Sequence, residues 1–268
     1  RVRSQPAFAG GMMVVGSQDG AVYAMDIKTG CQVWKYQAVS EVRTSIAISD
    51  WSAGDTDSRP VAVLADYVGN FYGLDLRSGT QLWKLRPEEH PHATISGTPR
   101  IVGERVYVTI SSHEDATAAR PDYPCCTFRG AVAALDLRTG ETIWLTHTIE
   151  EEATLRGYTS VGTESWGPSG ASTWTTPAID LKRGQIYIGT GDNYSAPATG
   201  TSDSVIAIDM ETGKINWVFQ ATKGDTWNPA CMLKVKGPNC PEAEGPDYDF
   251  GASIILATKS NGDDIVLA

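Results

Sequence analysis

The sequence has no apolar run near the ~20 residues that a membrane-crossing helix requires, which argues against a membrane span. Positive charge is scarce: 22 Lys and Arg stand against 32 Asp and Glu, for a net charge of −10. A groove for nucleic acid, or a face for an anionic membrane, is therefore not expected. There is no Cys-x-x-Cys, and the four histidines are scattered, so a zinc site finds little support. No long stretch carries a helical period. The chain starts at Arg1 without a basic-then-apolar leader, and its last residues, Asp264 to Ala268, stop within an apolar run with no turn signal, the pattern of an interrupted strand.

What is abundant points to short strands and tight turns. The chain has 27 glycines, 14 prolines and eight tryptophans in 268 residues, and 41% of it is hydrophobic, enough for a sizeable core. Cys31, the adjacent Cys125 and Cys126, and Cys231 with Cys240 read as an oxidised framework with one cysteine left over. That usage favours a periplasmic or secreted protein.

One pattern recurs four times. Ala24-Met25-Asp26-Ile27-Lys28-Thr29-Gly30 leads to Trp34, and Gly73-Leu74-Asp75-Leu76-Arg77-Ser78-Gly79 leads to Trp83. Ala134-Leu135-Asp136-Leu137-Arg138-Thr139-Gly140 leads to Trp144, and Ala207-Ile208-Asp209-Met210-Glu211-Thr212-Gly213 leads to Trp217. Alternating runs flank a turn in which Asp and Thr or Ser can bond backbone amides and Gly accepts positive φ, the chemistry of a hairpin. Two further strands precede each hairpin, which predicts four-stranded antiparallel blades with each Trp packed between neighbours. The fold expected is all-β: one partial β-propeller domain over residues 1–268, about half of an eight-bladed ring. Its blades fall near 1–37, 44–86, 95–147 and 171–220, with the start of a fifth at 251–268. Insertions at 111–128, 149–169 and 221–248 lengthen successive repeats, and long loops in a compact domain are usually functional.

The Asp-x-x-Thr-Gly-x-x-φ-Trp repeat resembles the tryptophan-docking repeat of the eight-bladed quinoprotein dehydrogenases, which bind pyrroloquinoline quinone (PQQ). Cofactor-free scaffolds of outer-membrane protein assembly share the repeat, so it carries fold and not function. The insertions are more specific. Tyr123-Pro124-Cys125-Cys126-Thr127-Phe128-Arg129-Gly130, Gly167-Pro168-Ser169-Gly170 to Trp174, Gly189-Thr190-Gly191-Asp192-Asn193-Tyr194-Ser195, and Cys231 through Gly251 resemble the polyvinyl-alcohol dehydrogenase branch.

That resemblance implies a site. Cys125 and Cys126 would form a vicinal disulfide against one face of the quinone, although here the pair directly precedes the third repeat, later than in methanol-oxidising members. Two thiols that stay reduced or pair elsewhere are the plainer reading. Trp174, 18 residues before Asp192, would stack on the opposite face; alone, it reads as a core tryptophan. Asp192, where relatives commonly have Asn, and Asp249 would ligate Ca2+, with a third ligand from Glu114 or Asp115, Glu114 being favoured. Asp249 would also act as base toward the alcohol. Arg129, Ser169, Gly170 and Ser172 would bind the cofactor's acid groups, with Arg43 and Thr44 weaker candidates of the same kind. Each of these also has an ordinary loop or turn reading. Cys231–Cys240 is expected as a structural staple and Cys31 as a buried thiol.

The function implied is oxidation of a secondary or polymeric alcohol with PQQ and Ca2+, electrons passing to a cytochrome c. The competing class is a cofactor-free propeller scaffold, which has no need for Cys125, Cys126, Trp174, Asp192 and Asp249 together. A dehydrogenase that has lost its activity is the third reading.

Overall fold

A computed structural model describes residues 1–51 and 57–268. Among them, nearly all regular structure is antiparallel strand, as the repeat predicts. The first sheet orders β1 (Ala7–Ala9), β2 (Met12–Gly16), β3 (Ala21–Asp26) and β4 (Gln32–Gln37). The second orders β5 (Ala47–Ile48), β6 (Val61–Ala65), β7 (Phe71–Asp75) and β8 (Gln81–Leu85). In the third, short β9 (Ala93–Thr94) joins β10 (Arg100–Val102), β11 (Arg105–Ser112), β12 (Ala131–Asp136) and β13 (Thr142–His147). A separate hairpin, β14 (Thr154–Tyr158) and β15 (Glu164–Gly167), fills the second insertion, and β16 (Ser169–Gly170) follows it. The fourth sheet contains β17 (Ala178–Asp180) and β18 (Gln185–Gly189); the chain then leaves it as β19 (Asn193–Ser195), which pairs with β16. It returns as β20 (Ser204–Asp209) and β21 (Ile215–Gln220), and the last hairpin is β22 (Ile255–Thr258) with β23 (Asp264–Leu267).

The repeated turn works by one device. Asp26 Oδ1 accepts the backbone N–H of Lys28 and Thr29 and the Thr29 hydroxyl. Asp75, Asp136 and Asp209 do the same in their own turns. These bonds hold the Asp26, Asp136 and Asp209 carboxyls below the usual carboxylate range.

The described residues form two compact units. The first gathers residues 1–89, 94–109 and 133–145. Within it, Trp34 Nε1 donates to Leu76 O and Trp83 Nε1 to Leu137 O, each at 2.9 Å. Each indole thus reaches the following repeat, and there it lies against that repeat's turn glycine. A Cβ on Gly79 would stand 2.6 Å from the Trp34 ring, and one on Gly140 would stand 2.6 Å from the Trp83 ring. The turn glycine therefore answers two demands, a φ above +70° and room for a neighbour's indole. Val14, Val22, Ala24, Trp34, Leu64 and Leu74 lie within the buried core of this unit.

The second unit comprises residues 90–93, 110–132 and 146–268, and all the insertions belong largely to it. Tyr187, Val205, Ala207 and Ile254 form a core cluster beneath the fourth sheet. Two loops expected from the sequence contain helical turns, α1 (Glu114–Thr117) and a 3-10 turn at Pro229–Met232. Cys31, expected to be buried, is exposed and free. It follows the first hairpin turn, one residue before β4, and is exposed among the described residues.

Candidate functional site

The short β16–β19 pair sets up the site. Asn193 Nδ2 donates to Ser169 O, Ala171 N donates to Asp192 O, and Gly191 N donates to Ser172 O. The segment carrying Ser169, Gly170, Ser172 and Trp174 is thereby laid along the segment carrying Asp192. Gly170 has φ +97°, and a Cβ there would stand 2.5 Å from Tyr194 N, so the close approach needs glycine. The hydroxyls of Ser169 and Ser195 share a hydrogen bond at 2.6 Å, and those of Ser172 and Tyr194 share another. Thr173, fully buried, has a hydroxyl with no partner.

Carboxylates gather beside this segment. Oxygens of Asp192, Asp247 and Asp249 lie within 4.8 Å of one another. Asp192 N donates to Asp249 Oδ1 at 3.1 Å, while the buried Asp192 Oδ2 has no donor at all. Trp174 borders the same space: a Cβ on Gly191 would fall 2.5 Å from Asp249 Oδ1 and 2.9 Å from the six-membered ring of Trp174. Only a residue without a side chain lets the indole and the carboxylate approach from that side.

The electrostatics are those of a site short of positive charge. Burial first, then the charges of Asp249, Asp247, Asp225 and Asp203, push the Asp192 carboxyl up to about 10. Burial and Asp249 push Asp247 up to about 6, and Asp249 is itself raised, chiefly by desolvation. Asp203, 1% exposed and at φ +46°, has no donor to either carboxylate oxygen; burial, then Asp225, push it up to about 8. A buried oxygen without a donor beside two further carboxylates is a fit for a hard cation, which takes oxygen ligands and supplies the missing charge. Asp225 has a different part. Fully buried, it accepts the N–H of Asp247 at 3.4 Å and of Tyr248 at 3.2 Å, holding the loop that carries Asp247 and Asp249.

Cys125 and Cys126 are joined as a disulfide across a cis peptide and are buried. Cys126 N donates to Trp166 O, and Trp166 N donates to Cys125 O, fixing the pair along β15. Gly170 N donates to Phe128 O and Gly130 N to Gly170 O, so the disulfide loop is also tied to the Trp174 segment. Cys231 and Cys240 form the second disulfide. Next to it, Asn239 Nδ2 donates to the carbonyls of Ala118, Arg120 and Tyr123, linking the third insertion to the chain before the vicinal pair.

Several expected residues are placed differently. Glu114 is absent from the carboxylate cluster among the described residues. It is fully buried, and its oxygens accept from Tyr123 Oη, Thr127 N and Phe128 N at 2.7–3.0 Å, so its hydrogen bonds run to the disulfide loop. Its neighbour Asp115 adds the smallest of the charge contributions that, after burial and with Asp225 ahead of it, raise the carboxyls of Asp247 and Asp249. Arg129 Nη1 donates to the carbonyls of Ile149 and Glu150, and Nη2 lies 3.9 Å from Glu152. Arg43 and Thr44 belong to the other unit; Arg43 pairs with Glu41 at 2.6 Å and covers the Tyr67 ring, and Thr44 is bonded to Ala65. Asp203, Asp225 and Asp247 escaped the sequence reading. For Asp247, the signal was present in its place two residues before Asp249.

The family described as "PQQ: Glucose/ethanol/alcohol dehydrogenase, beta-propeller domain" matches residues 1–230. The chain is 35% identical over 258 residues to a polyvinylalcohol dehydrogenase of Pseudomonas sp., covering 96% of this chain and 40% of that protein. It is 36% identical over 264 residues to a polyvinylalcohol dehydrogenase of Sphingopyxis sp. (strain 113P3), covering 98% and 40%. The chain thus spans about 40% of the length of these curated relatives. The crystal structure of quinohemoprotein alcohol dehydrogenase from Comamonas testosteroni superposes with a TM-score of 0.68 at 21% identity, over 99% of this chain and 39% of that one, a likeness of fold.

Proposed function

From a chain that belongs to the PQQ β-propeller family of glucose, ethanol and alcohol dehydrogenases, we propose that the whole protein oxidises an alcohol, secondary or polymeric, using PQQ and a hard cation such as Ca2+. Electrons would pass to a cytochrome c, and the two disulfides fit a periplasmic or secreted protein. The observation that carries this reading is the cluster of Asp192, Asp247 and Asp249 set against Trp174.

The residues divide the work. Asp192 and Asp247 would hold the cation, with Asp115 near enough to add its charge. Trp174 and the buried Cys125–Cys126 pair offer the flat and soft surfaces for a planar cofactor, and Thr173, Ser169, Gly170, Ser172 and Arg129 bring polar groups to the same neighbourhood. When bound, the quinone supplies a two-electron oxidant and the cation supplies Lewis acidity. Asp249 is the base: with Oδ1 held by the Asp192 amide, its carboxylate is oriented to take the proton of the alcohol hydroxyl.

The experiment is reconstitution of the whole protein with PQQ and Ca2+, followed by assay of polyvinyl alcohol and small secondary alcohols with a dye acceptor and then cytochrome c. Alcohol-dependent reduction with quinone recovered from the denatured protein is expected. A protein that binds no quinone and oxidises no alcohol would return the scaffold reading.

A further inference from the structure

We propose that Glu114 is the positioning residue of the vicinal disulfide: its buried carboxylate seats the chain just after Cys126 and leaves the cation to the aspartates. The claim concerns a seat within the second unit; its consequence for the quinone rests on the function proposed above.

Glu114 is 0% exposed. Oε1 accepts from Tyr123 Oη and Thr127 N, each at 2.9 Å, and Oε2 accepts from Phe128 N at 2.7 Å and Thr127 N at 3.0 Å. The two amides belong to consecutive residues, so both point into one carboxylate, an arrangement suited to an anion. The Thr127 hydroxyl adds a longer contact at 3.4 Å. A carboxylate has about four lone-pair positions, and these donors occupy them. A cation would have to displace a buried amide, leaving it without an acceptor.

The surrounding groups complete the seat. His92 N donates to His90 Nδ1 at 3.3 Å, which places the proton of neutral His90 on Nε2. That nitrogen stands 3.0 Å from Thr127 Oγ1 and 3.7 Å from Glu114 Oε1. The His90 ring meets the Phe128 ring edge-on at 5.3 Å, and His92 meets Tyr123 at 5.4 Å. On the other side of the pair, the Trp166 backbone holds both cysteines. The disulfide is therefore gripped by β15 at the cysteines themselves and by Glu114 just after them. Releasing the second grip removes the acceptor of the Thr127 and Phe128 amides and so loosens the Cys126 side of the disulfide, with Phe128 O still held by Gly170 N.

The test uses the whole protein with Glu114→Ala, Glu114→Gln and Tyr123→Phe, the last removing one donor and keeping the carboxylate. Each variant is treated briefly with a water-soluble phosphine and alkylated, and the two disulfides are followed separately by peptide mass spectrometry. Cys231–Cys240 is the internal control. In Glu114→Ala, Cys125–Cys126 is expected to be reduced about tenfold or more faster, the factor expected when hydrogen bonds to a buried charge are lost. Tyr123→Phe should show a smaller acceleration, and Glu114→Gln, which keeps one acceptor, an intermediate one. Cys231–Cys240 should be unchanged. Calcium affinity by calorimetry should stay within about threefold of the parent, and PQQ should dissociate faster.

Loss of calcium affinity with an unchanged reduction rate would make Glu114 a ligand and overturn the proposal. Equal acceleration at both disulfides would overturn it as well, since Glu114 would then support the fold generally. If Glu114→Ala does not fold, the ordering of Tyr123→Phe and Glu114→Gln decides by the same readouts. If the parent binds no quinone, the functional reading fails, while the reduction and calcium readings still decide the role of Glu114.

Discussion

Asp249 Oδ1 accepts the backbone N–H of Asp192 at 3.1 Å, so two acids 57 residues apart are joined by an amide rather than set apart by their charge. Asp249 is held without cancelling any of its negative charge. The balance must come from protons or from a cation.

This gives the cation-free protein a defined pH response. Asp192, Asp203 and Asp247 have carboxyls raised to about 10, 8 and 6, and Asp249 is raised too. A folded-state value above the unfolded one means that the folded state binds more protons, so stability is full below about pH 4 as regards these groups and falls as pH rises through those values. Calorimetry should find the cation-free protein less stable at pH 8 than at pH 5. Saturating Ca2+ should remove most of the difference, adding about 2.7 kcal/mol at a hundredfold excess over Kd. With several carboxylates at the site, La3+ should stabilise more than Ca2+. An identical response in Asp192→Asn would contradict the assignment.

Asp249→Asn should lower kcat for alcohol oxidation by about 10²–10⁴, with the melting temperature held or raised, because a base is lost and a crowded charge is removed. Steady-state kinetics of the reconstituted protein check it, and full activity would eliminate Asp249 as the base.

Gly191→Ala places a methyl group 2.5 Å from Asp249 Oδ1 and 2.9 Å from Trp174. The side chains must separate, at an expected cost of about 1–3 kcal/mol in stability. Cation affinity and kcat should fall together. Denaturant unfolding and calorimetric titration measure the two effects.

Two turn glycines make a matched pair outside the site. Gly30 (φ +71°) has open space around its missing side chain, whereas Gly79 (φ +72°) lies against Trp34. Gly30→Ala should cost about 1–2 kcal/mol for the left-handed backbone alone. Gly79→Ala should cost about 1–3 kcal/mol more and alter tryptophan fluorescence. Urea unfolding of both variants separates strain from overpacking.

The strands and turns were legible because their cause is local. Asp, Thr or Ser, and Gly within five residues build each hairpin turn, so the repeat announces itself. The site was legible in part. The adjacent cysteines, Trp174, Asp192 and Asp249 stand out by type and setting, but the choice between Glu114 and Asp115 depends on which way two neighbouring side chains turn at the start of a helical turn. The seat for Glu114 is made of the Thr127 and Phe128 amides, and backbone groups leave no mark in a sequence. Asp203 and Asp225 were hidden for a related reason: their place depends on burial and on contacts across the insertions. Cys31 shows the limit from the other side, since a small apolar residue type does not say whether the turn that carries it is covered.

The contacts of Trp34 with Gly79 and of Trp83 with Gly140 give the first unit a nearest-neighbour grammar. A change in one hairpin is felt by the repeats on either side of it, backward through its glycine and forward through its tryptophan. Insertions can grow between hairpins without rewriting the rule by which hairpins recognise each other. A loop can thus take up new chemistry while the hairpin contacts that hold the framework stay as they are.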